Sequence, residues 1–315
     1  MTKTVRMGVD IGGTKIAFAL VDQAGNILAH HRIPTPKSMI QSAMLDVIAQ
    51  GIQDLATRSP SKLTQIGIGC PGYVNMNTGV VHAAVNLDWK DVPLRDEISN
   101  RLSDHYIVQI ANDVNAQLLG EVRFGAAKAL SDVVYIAIGT GFGGAALVNG
   151  ELAYGGHFAS MEIGHIPLDA NGRVCTCGQV GCVEMYVSGI GLMCAYEAYQ
   201  DQYLSSSLAT METPTTVDIL EYMKKNDPLA DIIRCEVVDW LVRTLMICDR
   251  MLNPQSVIIG GGLGAALYPL IVDDVRASYN KTMLDNSFPA DAIVEAQISD
   301  TAIGATCLFE ELISQ

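Results

Sequence analysis

Residues 161–184, MEIGHIPLDANGRVCTCGQVGCVE, place His165, Cys175, Cys177 and Cys182 in an eighteen-residue loop. One nitrogen and three sulfur donors with no position left open suit a closed tetrahedral zinc rather than a catalytic one. Gly172, Gly178 and Gly181 let so short a loop wrap an ion. The competing reading is a disulfide, which a reducing cytoplasm disfavours. The ion would order a loop that has too little core of its own. Glu162 and Glu184 bracket the loop. Solvated surface charge is the ordinary fate of glutamate, but a pinned loop turns such carboxylates into fixed hydrogen-bond acceptors.

Three strand-to-glycine turns carry a second kind of chemistry. VDIGGTK puts Asp10 at the end of a buried strand, followed by Gly12, Gly13, Thr14 and Lys15. Glycines let backbone N–H groups converge on phosphate, and a hydroxyl and an ammonium add to the cradle. IGTGFGG, with Gly139, Thr140, Gly141, Gly143 and Gly144, is a turn of the same kind, and VIIGGGLG, with Gly260, Gly261 and Gly262, is a third. Each alone is compatible with an ordinary glycine hairpin, and none has the GxGxxG spacing of a dinucleotide fold. The set favours one nucleotide gripped between two domains. Asn112 and Asp113 end a further buried strand, IVQIAND. There Asp113 suits either a general base on a hydroxyl or the cap of the following helix. Asn112, Asp113, Glu162 and Glu184 are acceptors suited to a neutral polyhydroxyl ligand. Arg173 is the one cation inside the metal loop, which disfavours a second anionic substrate.

The elements that must position these residues alternate. VRMGVDI, KIAFALV and ILAHHRI read as strands. Ile40, Ala43, Met44, Val47, Ile48, Ile52 and Leu55 form a helical stripe with Ser38 as a candidate N-cap. QIGIGC is a buried strand, PLRDEISNRL a short helix and IVQIAND another strand. The pattern then restarts, since VVYIAIGTGFGGAALVNG parallels VRMGVDIGGTKIAFALVDQAGN. Two copies of one unit about 130 residues apart predict two related α/β domains, with a hinge near Asn115. A helix over 227–252, the strand VIIGG, a helix over 265–283, the strand AIVEAQI and a closing helix from Ala302 complete the chain.

The 315 residues carry 34 acidic against 20 basic side chains, a net charge of −14. Such a surface repels nucleic acid and anionic membranes. No apolar run reaches the roughly 20 residues of a membrane-spanning helix, and the N-terminus lacks a signal-peptide core. The expectation is a soluble cytoplasmic protein. Cys70, Cys194, Cys235, Cys248 and Cys307 stand singly among apolar residues and read as small buried thiols.

DIGGTK, AND, GTGFGG, MEIGH, CTCGQVGCVE followed by SG, and IIGGG occur in the order seen in the ROK (repressor, open reading frame, kinase) sugar kinases, and the chain resembles that family from end to end. The resemblance implies a two-domain α/β, actin-like or hexokinase-like (ribonuclease H-like) fold with a zinc-binding loop. Residues 1–115 would form a small domain, with a C-terminal helix at about 300–315 packing back on it, and 116–299 a large domain holding the zinc loop 165–182. It implies transfer of the ATP γ-phosphate to a sugar hydroxyl with magnesium. Asp113 is then the catalytic base and Asn112 its sugar-binding neighbour. Glu162, His165 and Glu184 are the other sugar contacts, and His165 is also a zinc ligand. Asp10, Gly12, Gly13, Thr14, Lys15, Gly139, Thr140, Gly141, Gly261 and Gly262 attend the nucleotide phosphates.

The run NLDWKDVPL favours the glucokinase-like members, with N-acetylmannosamine, N-acetylglucosamine and fructose kinases as alternatives and a non-catalytic sugar sensor outside the class. Polyphosphate as donor stays open, and a homodimer is expected. Only seven residues precede Gly8, too few for the DNA-binding segment of the repressor branch. Met161 stands where many members of the family have Gly, and Asn75 replaces an Asp common in it.

Overall fold

The computed structural model describes residues 4–36 and 40–309. The chain divides into two compact units: Met1–Leu130 with Gly150–Ser160 and Gln297–Gln315, and Ser131–Asn149 with Met161–Ala296.

The first unit opens with the antiparallel strands β1 (Val5–Ile11), β2 (Lys15–Asp22) and β3 (Ile27–Pro34). Asp22 closes the β2–β3 turn by accepting the Ala24 and Asn26 amides, each at 2.9 Å. Helix α1 (Gln41–Ala56) buries Met44, Leu45, Ile48, Ile52 and Leu55 along one face, each worth roughly 1.5–3 kcal/mol. Its N-cap position is Ile40, which makes no side-chain cap; Ser38, the candidate cap, lies outside the described residues. Strand β4 (Gln65–Cys70) pairs parallel with β1, and β8 (Ile107–Asn112) parallel with β4, giving the order β3-β2-β1-β4-β8.

Residues 73–92, to which the apolar pattern assigns no element, form a small antiparallel sheet. Its strands are β5 (Tyr73–Asn75), β6 (Val80–Ala84) and β7 (Trp89–Val92). Asn75 accepts the Asn77 and Thr78 amides at 3.1 Å. An Asp would make the same turn, so this departure from the family pattern is conservative. Helix α2 (Leu94–Ser99) precedes β8, and α3 (Asp113–Phe124) follows it.

Glycines inside the strands mark where the chain's end returns. A Cβ on Gly8 would stand 1.8 Å from the Ala302 carbonyl oxygen, and one on Gly67 1.8 Å from that of Ala305. Helix α9 (Thr301–Ala305) therefore lies with its backbone directly on β1 and β4. Gly304 meets α3 in the same manner, at Ala116 and Gly120. This packing draws α3 into the first unit, so the division falls after Leu130 and not near Asn115. Residues 310–315 of the expected closing helix lie outside the described residues.

The second unit repeats the scheme. The hairpin β9 (Val133–Ile138) and β10 (Phe142–Val148) is followed by β12 (Ser256–Gly260), parallel to β9, and β13 (Ile293–Glu295), parallel to β12. A two-residue edge strand, β11 (Glu151–Leu152), completes the order β11-β10-β9-β12-β13, in which β10-β9-β12-β13 matches β2-β1-β4-β8 in both order and sense, as the internal repeat predicts. Between β10 and β12 lie the metal loop and four helices, α4 (Glu184–Val187), α5 (Gly189–Tyr199), α6 (Thr216–Lys224) and α7 (Pro228–Leu252). Asp227 caps α7 and Pro228 starts it, a favoured pairing. Helix α8 (Gly262–Asn280) joins β12 to β13.

Cys70, Cys248 and Cys307 are buried as expected, but Cys194 is half-buried and Cys235 exposed. Helix α7 buries Ile233, Val237, Trp240 and Leu241, and Cys235 falls on its other face. No described helix is long and apolar enough to cross a membrane.

Candidate active site and metal centre

In the first unit, β1, β4 and β8 end side by side. Gly69 is the spacer, since a Cβ there would lie 3.4 Å from Asp113 Cα and 3.7 Å from Asp10 Oδ1. Asp10 and Asp113 thus flank one glycine. The helix-cap role open to Asp113 is filled by Asn112, whose Oδ1 accepts the Val114 and Asn115 amides at 2.9 and 3.2 Å. Its Nδ2 donates to the Gly72 carbonyl at 3.0 Å. Asp113 is the first residue inside the helix and also accepts the Val114 amide, at 3.0 Å.

Burial pushes the Asp10 carboxyl up; Thr301, whose hydroxyl donates to it, pulls it down, Asp300 raises it and Lys15 lowers it. Asp300 is held by Arg32 at 2.8 Å and caps α9, which fixes Thr301 beside Asp10. Burial, then Asp113 and Asp10, holds the Cys70 thiol well above its ordinary range. In the turn after Asp10, the Gly12 amide donates to the Lys15 carbonyl at 2.9 Å, and Thr35 Oγ1 donates to the Gly12 carbonyl at 2.6 Å. Gly12 shapes this turn, and Thr14 and Lys15 stand exposed on it. A hollow of about 330 Å³ elsewhere in the unit, lined by Tyr73, Asn75, His82 and 156–159, includes no expected site residue.

In the second unit the β9–β10 turn is tied to the segment after the metal loop. The Gly189 amide donates to the Gly139 carbonyl at 2.9 Å and the Ile190 amide to that of Thr140 at 3.3 Å. Glu184, buried to 9% exposure, accepts the Phe142 amide at 2.9 Å. A Cβ on Gly141 would come within 2.5 Å of that carboxylate, and one on Gly144 within 2.8 Å of Ile163 and the Met161 carbonyl. Gly261 has φ +81° and faces the Ile138 carbonyl. The protein's own packing demands these three glycines. At Gly139 and at Gly262, the first residue of α8, a Cβ would meet nothing within 4 Å.

His165, Cys175, Cys177 and Cys182 bring their ligand atoms within 4.8 Å of one another. Cys177 and Cys182 Sγ are 3.6 Å apart, and Cys175 Sγ lies 3.7 Å from His165 Nδ1. A tetrahedron with Zn–S bonds of about 2.3 Å has S···S edges near ~3.8 Å, so the donor set fits zinc. The loop folds as a knuckle: Cys175 donates its amide to the Gln179 carbonyl at 2.8 Å, and Gly178 and Gly181 take φ +90° and +78°. Because Nδ1 faces the sulfurs, Nε2 is the imidazole's remaining hydrogen-bonding atom.

The loop has a second anchor that its motif does not reveal. Arg173 pairs with Glu236 at 2.7 Å, donates to the Met185 carbonyl at 2.8 Å and lies 4.5 Å over the Tyr186 ring. That ring stacks on Trp240 at 3.6 Å. The loop's lone cation is thus a staple to α7. Beside the loop, burial raises the Glu162 carboxyl, with His165 opposing and Glu184 reinforcing. Met161 takes φ +64°, a conformation costing an L-residue roughly 1–2 kcal/mol. Glycine adopts it freely.

Two matching α/β sheets, a Cys3His knuckle and strand-end carboxylates define a hexokinase-like fold with a metal loop. A family model described as the ROK family matches residues 6–311, and the chain belongs to that family. It is 33% identical to the glucokinase of Streptomyces coelicolor over 97% of both chains. It is 32% identical to the N-acetyl-D-glucosamine kinase of Salmonella typhimurium over 81% of this chain and 83% of that one. Among solved structures it superposes on a ROK family glucokinase from Streptomyces griseus in complex with glucose and AMPPNP. That match has a TM-score of 0.81 and 31% identity, over 96% of this chain and 98% of the other.

Proposed function

We propose that this protein is an ATP-dependent hexose kinase that converts glucose to glucose 6-phosphate. The observation that carries this reading is its likeness, over nearly its whole length, to glucokinases, one of them seen with glucose and an ATP analogue. Asp113 takes the proton of the sugar 6-hydroxyl as it attacks the γ-phosphorus. With Asn112 acting as the helix cap, the Asp113 carboxylate has no need to perform that role. Asn112, Glu162, His165 through Nε2 and Glu184 hold sugar hydroxyls.

Asp10, Gly12, Gly13, Thr14 and Lys15 attend the phosphates, as do Gly139, Thr140, Gly141, Gly261 and Gly262. Gly139 and Gly262 are where open space beside a glycine leaves room for the donor. Magnesium, bound with ATP, would neutralise charge on the transferring group. His165 Nδ1 and the thiolates of Cys175, Cys177 and Cys182 hold a structural zinc. The protein acts in the cytoplasm as a homodimer.

A coupled ADP-release assay at fixed ATP and magnesium tests the reading across glucose, N-acetylglucosamine, N-acetylmannosamine and fructose. Glucose should show the highest kcat/KM. A preference for N-acetylglucosamine would instead favour the second reading, an N-acetylhexosamine kinase, which the Salmonella relative supports. Release of ADP with none of the four above the sugar-free rate would defeat both.

A further inference from the structure

Among the described thiols, Cys177 and Cys235 are exposed. Cys177 stands at the tip of a run, 176–180, in which every residue is exposed, whereas its neighbours in the donor set, Cys175 and Cys182, are buried to 3% and 0% exposure. Cys182 Sγ lies 3.6 Å from Cys177 Sγ, within a donor set whose ligand atoms are all within 4.8 Å of one another. An oxidant arriving from solvent therefore meets one sulfur first, with a second sulfur directly behind it. Closing that pair to a bond of about 2 Å needs a movement of under ~2 Å. Gly178, at φ +90° with nothing near its Cβ position, supplies backbone freedom at that point.

We propose that Cys177 is a site of oxidative modification by peroxide, ending in a Cys177–Cys182 disulfide and release of the loop's metal; the release step rests on the zinc reading above. The Cys177 thiolate attacks one peroxide oxygen, the O–O bond breaks and hydroxide leaves, giving a sulfenic acid. The Cys182 thiolate then attacks the sulfenic sulfur, and the S–O bond breaks as hydroxide departs and takes up a proton from solvent to leave as water. Two thiolates lose two electrons and peroxide gains them, ending as two hydroxides that solvent protonates. His165 and Cys175 remain, and two donors do not retain zinc in a tetrahedral site.

The test treats the purified, metal-loaded protein with hydrogen peroxide. Zinc release is followed with a chromogenic chelator, and cysteine pairing is mapped by mass spectrometry of non-reduced peptides. The expected result is a Cys177–Cys182 linkage appearing in step with the metal and reversed by dithiothreitol with added zinc. Cys235→Ser should leave the release rate unchanged. Cys177→His keeps four donors while removing the exposed nucleophile, and should slow release at least about tenfold. Metal release accompanied by another pairing, or by sulfinic or sulfonic acid at Cys177, overturns the proposal, as does oxidation of Cys235 with the loop thiols intact. Protein that purifies without zinc defeats the metal reading alone, and the peptide map by itself then decides whether Cys177 and Cys182 pair.

Discussion

At the β1–β2 turn of the first unit, the Gly12 amide bonds back to Lys15 within the turn, and a Cβ on Gly13 would touch only Asn86, at 3.4 Å. At the β9–β10 turn of the second, Gly141 is pressed against the Glu184 carboxylate and Gly144 against Ile163. The two hairpins share topology and pairing sense, yet their glycines answer different demands. The first turn is largely self-contained, closed by its own backbone and Thr35. The second is built onto the segment that leaves the metal loop, through Glu184, Gly189 and Ile190. A repeated motif therefore does not carry a repeated role, and a carboxylate near a site can be a reactant or a fastener.

Asp113 sharpens that contrast most. Asp113→Asn should lower kcat by roughly two orders of magnitude or more with little change in Tm. Steady-state kinetics and calorimetry on one preparation check it. Near-normal turnover would remove Asp113 from the chemistry and leave the first unit without its base.

Removing the metal tests the second turn as a whole. Its supports follow Cys182 directly in the chain, so chelation should raise KM for ATP as well as for sugar. Stability should fall by about 2 kcal/mol, or roughly 4–8 °C in Tm. A rise confined to the sugar KM would show that Arg173, Tyr186 and Trp240 hold the turn without the ion.

Within the turn, Gly141→Ala and Gly139→Ala separate packing from ligand contact. The first should cost about 1–3 kcal/mol because the new methyl meets Glu184. The second should change stability by less than ~0.5 kcal/mol and act on the ATP KM alone. Equal losses of Tm in the two variants would erase the distinction drawn between these glycines.

The smallest effect concerns Asp10 in the self-contained turn. Burial holds its carboxyl above the ordinary range, so carrying it ionised costs the folded state stability at neutral pH. That cost is relieved as pH falls through the raised folded value and the group takes up its proton. Asp10→Asn should therefore raise Tm slightly at pH 7, and the gap should close on acidification, while ATP affinity weakens. Thermal melts between pH 4 and 8 read it out; a variant less stable than the parent at pH 7 would mean that the carboxylate is needed by the fold.

Much of the molecule was legible in local pattern. Strands next to glycine turns, the 130-residue repeat and the Cys3His spacing all report interactions among residues close in the chain or dictated by periodicity. The donor set came together as the spacing implies. Contacts between distant segments were not legible. Gly8 and Gly67 look like ordinary strand residues until α9, more than 200 residues later, is seen lying on them. Arg173 looks like a solvated charge until Glu236 and the Tyr186–Trp240 stack surround it.

The short strands of 73–92 hold together by pairing with one another rather than by a long apolar pattern, so they escape a periodicity reading. Asp113 and Asn112 are equally good caps by residue type, and only the backbone of β8 running into α3 assigns the role to Asn112. Sequence alone determined the kind of chemistry available, because donor type, charge and glycine are properties of single residues and their spacing. Which glycine, carboxylate or thiol meets solvent and which meets another part of the chain was decided by tertiary packing, where long-range contacts set burial and hydrogen bonding.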